Sequence, residues 1–350
     1  MRALQISTWH QEAELVEVER PTPGPGQVVL RIGAAGACHS DLHMMHGTRD
    51  TVPFTLPFTL GHENAGWVYS VGDGVTSVEP GQPVAVYGAW GCGSCLRCSV
   101  GMENYCEAPH VPLAGAGCGL GLDGGMADYM LVPDARYLLP LPEGLTPVEA
   151  APLTDAGLTP YHAVRRSLQK LGPRSTAVVL GAGGLGHLAV QILKATSSAK
   201  VIALDTKAEA LELALSFGAD AAFEAGETAV RDVKAATGGL GADVVLDCVG
   251  SDTTLSLAAA CTRSLGDLTL VGVAGGSLSF GFLNQAYEVS VQSVYWGSRS
   301  ELADVLELAS RRLIRPHINT YPLDRALDAY RALAAGEVAG RAVVIPEGAL

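Results

Sequence analysis

The sequence is short of charge. Only 17% of its 350 residues are Asp, Glu, Lys or Arg, against 48% hydrophobic. That balance excludes an extended disordered chain and supplies enough apolar material for a sizeable core. It is shorter still of cations. Lys and Arg number 23 against 36 acids, a net charge of −13, and a surface of that sign repels phosphate backbones and anionic lipid. Nucleic acid and membrane surfaces are therefore not expected as partners. No apolar run reaches the roughly 20 residues of a membrane span. The start, Met1-Arg2-Ala3-Leu4-Gln5, has no long apolar stretch, so no secretory leader is expected and the cytoplasm is the expected compartment. A repeat of solenoid period is also lacking.

What the chain does have is glycine in one telling context. Ala177-Val178-Val179-Leu180 runs into Gly181-Ala182-Gly183-Gly184-Leu185-Gly186, then an apolar helical stretch, then Val201-Ile202-Ala203-Leu204-Asp205. A buried strand, a glycine turn, a helix and a second strand ending in an acid form a dinucleotide-binding unit. The glycines let backbone approach a pyrophosphate, whose charge the helix N-terminus favours. Asp205 is placed to accept from ribose hydroxyls, and Lys207 stands close by. A second match to the glycine pattern, Gly119, Gly121 and Gly124, follows no strand and precedes no helix, so it reads as a loop.

From about residue 175 strands and helices alternate. A helix over 207–217 carries Ala208, Leu211, Ala214 and Leu215 on one face, and apolar strands follow at 244–249 and 268–273. Continuous apolar strands separated by helices predict a parallel, doubly wound sheet. Cys248 and Cys261 fall in those runs and are expected to be inert. Helices near 300–312 and 323–335 precede a last strand, 341–345. Residues 1–37 and 66–87 instead alternate apolar and polar positions between turns, the pattern of a compact β-domain. Residues 107–145, with Gly115 and its neighbours, read as loop.

Four of the eight cysteines fall in Cys92-x2-Cys95-x2-Cys98-x7-Cys106, with Gly91, Gly93 and Gly101 easing the wrap. Four thiolates make a closed tetrahedral zinc site. The final gap of seven and the absence of a following proline argue against an iron–sulfur cluster. Cys38 and His62 are also zinc-ligand types, yet so far apart that, taken singly, they read first as a buried thiol and a core histidine. Asp155, a charge in an apolar stretch, reads either as the cap of a helix through Tyr161 or as a metal ligand.

Together, Cys38-His39-Ser40-Asp41, Gly61-His62-Glu63-Asn64-Ala65-Gly66, the cysteine cluster, the 181–186 turn with Asp205, and Gly340-Arg341 resemble the zinc-dependent medium-chain alcohol dehydrogenases over nearly the whole chain. The stretch from Pro152 to His162 looks like the secondary-alcohol dehydrogenases of actinobacteria. The resemblance implies an α/β protein with a GroES-like β-rich catalytic domain, 1–153 completed by 292–350, and a Rossmann NAD-binding domain, 154–291. A cleft between them takes cofactor and substrate. It implies two zinc ions, a catalytic one on Cys38, His62 and Asp155 and a structural one on the four cysteines. Glu63 matches a position that backs or replaces a catalytic-zinc ligand. Ser40 and His43 become a proton path, and His39 and Arg341 contacts for the pyrophosphate. Trp90, Leu120, Phe282, Tyr295 and Trp296 are candidate walls for a hydrophobic alcohol or ketone, with Leu120, Tyr295 and Trp296 the ones carried forward. Relatives are dimers or tetramers.

The expected function is hydride transfer between NAD(H) and a secondary alcohol or ketone. A nearer rival acts on primary, aryl or polyol alcohols with the same architecture. A rival of another class is a redox-sensing binding protein whose cysteine lobe is a zinc-ribbon module.

Overall fold

The computed structural model describes residues 1–47, 54–108 and 117–348. The chain divides into two compact units. One comprises Met1–Asp155, Ser298–Ser310 and Pro316–Leu350, the other Ala156–Gly297 and Arg311–Arg315.

The first unit is β-rich. Its main sheet runs in the order Leu138–Pro140, Pro83–Val86, Glu63–Val71, Val28–Ala37, Arg341–Ile345, Ile318–Pro322, with Tyr129–Val132 also paired to Val28–Ala37. Val28–Ala37 is its axis, and nine of its ten residues are buried. A strand covered on both faces has no polar side to show, so its sequence is nearly all apolar. Two registers matter for chemistry. Gly36 pairs with Glu63, and Ala342 pairs with Ala37 on the other side, which carries Arg341 up beside Cys38. A Cβ on Gly36 would lie 1.8 Å from Glu63 Oε2, so this crossing requires glycine. Tyr129–Val132 and Leu138–Pro140 are strands in the stretch read as loop; they are too short to carry a periodic signal. Gly115 lies outside the described residues.

The second unit carries a six-stranded parallel sheet in the order Ala221–Glu224, Lys200–Asp205, Thr176–Leu180, Ala242–Asp247, Thr262–Leu270, Ser290–Ser293. This is the doubly wound order, reversing between Thr176–Leu180 and Ala242–Asp247. Val178, Leu180, Ile202, Leu204, Val245 and Leu268 fill the core beneath helices Ala229–Ala236 and Asp252–Cys261. The fold is therefore the α/β pairing of a GroES-like unit with a Rossmann unit. Helix Ala208–Ser216 is rotated from its expected setting. It buries Ala214 while Ala208 is exposed and Leu215 is 48% exposed, because the sheet meets the 211/214 side and leaves 208 and 215 on the rim.

Candidate active site

Three donors gather in the first unit. Cys38 follows the axial strand and caps helix His39–His46. His62 precedes strand Glu63–Val71, and Asp155 closes the short helical turn Ala151–Thr154. One ligand atom of each lies within 4.8 Å of the others, and all three residues are buried. Asp155 is not the N-cap of the following helix; Gly157 precedes helix Leu158–Ser167, and Asp155 Oδ2 instead lies 3.4 Å from His62 Nε2.

The imidazole is aimed by a residue that sequence reading left without a role. Asp41 is fully buried in the first turn of helix His39–His46, and its Oδ1 lies 3.0 Å from His62 Nδ1. Asp41 Oδ2 accepts from the Cys38 N–H at 3.0 Å and from the Tyr330 hydroxyl at 2.9 Å. An ionised carboxylate only accepts, so Nδ1 donates to Asp41, and Nε2 is the ring nitrogen turned toward Asp155. Burial alone would lower the His62 pKa. The Asp41 charge, with hydrogen bonds to Asp155 and Asp41, outweighs it and holds the metal-free imidazole well above its usual range.

Backbone packing completes the scaffold. Gly61 has φ +93°, and the 117–125 loop lies against it: a Cβ on Gly119 would meet the Gly61 carbonyl at 2.4 Å, and one on Gly124 would meet it at 2.1 Å. The second glycine pattern is thus a loop, as expected, whose glycines permit this approach. Asn64 Nδ2 donates to Gly61 O at 2.8 Å, and Asn64 N–H to Thr154 Oγ1 at 3.2 Å, tying the His62 strand to the turn that bears Asp155.

Other expected residues fall in place or find different partners. Ser40 is half-buried, with Oγ 3.8 Å from Cys38 Sγ, while His39 and His43 are exposed on the same helix. Glu63 is not among the three clustered donors; its Oε1 takes Arg341 Nη2 at 2.7 Å. Burial pushes the Glu63 carboxyl up to about 7, against the opposing pull of Arg341. Arg341 is only 2% exposed, so the guanidinium expected on a pyrophosphate is held inside the first unit. Leu120 is buried in that unit. In the second, the Tyr295 and Trp296 rings lie 5.4 Å apart and tilted by 32°, Trp296 buried with φ +49°. Phe282 is 80% exposed, and the Trp90 indole N–H donates to Tyr87 O at 3.0 Å.

The four cysteines at 92, 95, 98 and 106 form the second cluster, again with sulfurs within 4.8 Å. Sulfur accepts backbone N–H groups around the ring: Cys95 N to Cys92 Sγ at 3.3 Å, Cys98 N to Cys95 Sγ at 3.5 Å, Cys92 N to Cys106 Sγ at 3.3 Å. Hydrogen bonds from Ser94 lower the Cys92 pKa to about 5, while burial pushes Cys98 up to about 12. Both donor sets suit zinc. Four sulfurs close the coordination shell, whereas a thiolate, an imidazole and a carboxylate leave one position open.

In the second unit the glycine turn is formed. Gly181 has φ +84° and donates to Leu204 O at 2.8 Å, and a Cβ on Gly186 would fall 1.9 Å from Gly181 O. At Gly183 a Cβ would meet nothing within 4 Å, so this face of the turn is open. Gly184 and Leu185 complete the turn, and helix Gly186–Thr196 begins without a side-chain cap. Asp205 Oδ2 accepts from Ala182 N–H at 2.7 Å and Oδ1 from Lys207 N–H at 3.0 Å; the Lys207 residue is exposed.

A GroES-like unit with a three-donor and a four-sulfur metal site, followed by a Rossmann unit, defines a zinc-binding dehydrogenase. The comparisons with known proteins agree. The family described as alcohol dehydrogenase GroES-like domain matches residues 24–143, and that described as zinc-binding dehydrogenase matches 184–311. The chain belongs to this zinc-binding alcohol dehydrogenase family and is an oxidoreductase. It is 37% identical to an NAD-dependent alcohol dehydrogenase of Sulfurisphaera tokodaii over 99% of this chain and 100% of that one. It is 34% identical to a D-arabinose 1-dehydrogenase (NADP(+)) of Saccharolobus solfataricus, over 99% and 97%. The crystal structure of the alcohol dehydrogenase from Aeropyrum pernix superposes with a TM-score of 0.91 at 37% identity, over 99% and 100%. Family membership sets aside the redox-sensing binding protein. Among the described residues no helix is long and apolar enough to cross a membrane.

Proposed function

We propose that the chain oxidises secondary alcohols, and reduces the corresponding ketones, with NAD(H) as its cofactor. The observation that carries the reaction class is the three-donor set Cys38, His62 and Asp155, which leaves a coordination position for substrate. Zinc held by these residues would supply Lewis acidity, and a bound nicotinamide would supply the hydride chemistry. The chain's own residues do the rest. Ser40, half-buried beside Cys38, takes the proton from the alcohol, and His43, exposed one turn along, releases it to solvent. Histidine suits that task because an imidazole can both accept and donate a proton.

Asp205 supports NAD over NADP, since a carboxylate at that strand end welcomes ribose hydroxyls and repels a 2′-phosphate. The turn 181–186, His39 and Arg341 serve the pyrophosphate. We assign catalysis to residues 1–153 with 292–350, and nucleotide binding to 154–291. A hydrophobic, uncharged substrate fits a centre whose nearby guanidinium, Arg341, is already neutralised by Glu63. Leu120, Tyr295 and Trp296 are its proposed walls. The resemblance of Pro152–His162 to actinobacterial secondary-alcohol dehydrogenases supports the substrate class. The similarity to a D-arabinose dehydrogenase favours polyols as the second reading. Eight free thiols support a reducing, cytoplasmic setting. Phe280, Phe282, Leu283 and Tyr287, exposed beside the edge strand Ser290–Ser293, support a homo-dimer or homo-tetramer.

The test is a panel of medium secondary alcohols, primary alcohols and D-arabinose, each with NAD and NADP, followed by coenzyme absorbance. The highest kcat/KM is expected for a secondary alcohol with NAD. A clear preference for the sugar or for NADP rejects the reading.

A further inference from the structure

Tyr330 sits on helix Ala326–Ala334, almost at the other end of the chain from Asp41, and is 2% exposed. Its hydroxyl donates to Asp41 Oδ2 at 2.9 Å in a buried pair. The two oxygens of Asp41 are divided. Oδ1 faces His62 Nδ1, and Oδ2 takes Tyr330 and the Cys38 N–H. A carboxylate held at both oxygens cannot rotate about its last bond without breaking a buried hydrogen bond, and such a bond is costly to leave unmade. Packing alone does not require the hydroxyl, because a phenylalanine ring occupies the same space. The hydroxyl reaches a carboxylate whose other oxygen aims a metal ligand, which places Tyr330 one step behind Asp41.

We propose that Tyr330 is a positioning residue for the Cys38–His62–Asp155 metal site: it fixes the Asp41 carboxylate, which in turn holds His62 with Nε2 toward Cys38 and Asp155. This rests on the reading of those three residues as a zinc site. Partners behind a ligating histidine typically alter metal affinity 10–100-fold. Tyr330 acts through one further residue, so its effect belongs at the lower end.

The experiment is zinc release to an excess of chelator, with total zinc followed in the full chain. Parent protein should release its two zinc ions in separate phases. Tyr330→Phe should release one of them roughly ten-fold faster, leaving the four-cysteine phase and the thermal transition of the loaded protein unchanged. A general loss of stability accelerates both phases, and a parental rate in both leaves Tyr330 without a role; either result overturns the proposal. The second measurement is coupling. On an Asp41→Asn background, Tyr330→Phe should add nothing further to release, since its effect passes through the carboxylate. Additive effects overturn it. Cys38→Ser separates this from the underlying assignment: it should hold one zinc per chain, and two would reject the metal site itself, whatever Tyr330 does.

Discussion

The first unit contains two clusters of metal-ligand residues built on opposite plans. The four cysteines lie within one loop, residues 92–106, and hold one another through N–H···S bonds inside that loop. Cys38, His62 and Asp155 come from three separate elements, and other residues aim them: Asp41 behind His62, Asn64 and Thr154 between the strand and the turn. The difference teaches what each metal does for the protein. A loop held by bonds among its own four cysteines depends on zinc for its shape. A site assembled by a sheet and its hydrogen bonds exists before the metal arrives and is free to be used for chemistry.

The sharpest way to break that contrast is to remove one ligand from each site. Cys95→Ser should cost soluble expression or a large drop in Tm, because a structural zinc contributes on the order of 10 kcal/mol. Cys38→Ser should abolish alcohol oxidation with the circular dichroism and Tm of the fold retained. The reverse pattern, an unfolded Cys38→Ser and a fully active, stable Cys95→Ser, would exchange the two roles.

The next effect concerns what the scaffolded site does. Ser40→Ala should lower kcat by about 10²-fold, the low end of general acid–base contributions. His43→Phe should cost less, and its loss should shrink as pH rises or when imidazole is added as an external base. An unchanged rate and pH profile in His43→Phe would make it a bystander on the helix.

Acid should also separate the two sites. Zinc at Cys38, His62 and Asp155 displaces the proton that Asp41 helps hold on His62. Its affinity should fall roughly ten-fold or more per pH unit on acidification, since zinc binding releases a proton from His62 and one from the Cys38 thiol. The sign in the metal-free protein is opposite. Because the folded pKa of His62 is raised, its protonation contributes stability that is fully present below the ordinary imidazole pKa and is lost as pH rises through the raised value. Zinc titrations and thermal melts between pH 6 and 9, about the imidazole range, check both. A pH-independent affinity for the site would contradict the His62 assignment.

The smallest effect tests scaffolding in the second unit. Asp205 already accepts two backbone N–H groups without a ligand. Asp205→Ser should raise NADP use several-fold relative to NAD, and it should loosen the turn by about 1 kcal/mol for the hydrogen bonds lost. Measured kcat/KM ratios for the two coenzymes that do not move would show the carboxylate to be purely structural.

Where chemistry is written in neighbouring residues, the sequence sufficed. The glycine turn with its flanking strands, the four-cysteine loop and the alternation of apolar strands with helices follow local rules of φ, spacing and period. They specified the paired α/β fold, its parallel sheet and a closed sulfur site. Spacing could not decide which distant residues would meet. It left Cys38, His62 and Asp155 open until a family resemblance joined them. The resemblance gave Glu63 a place behind or among the ligands, and the register Gly36 to Glu63 and Ala342 to Ala37 sets it beside Arg341. Spacing passed over Tyr330, which reaches Asp41 from almost the far end of the chain. The physical reason is that a metal ligand's neighbours are fixed by strand register and helix packing. Those are long-range choices, settled only when the β-sheet closes and the last strand enters it beside the first long one.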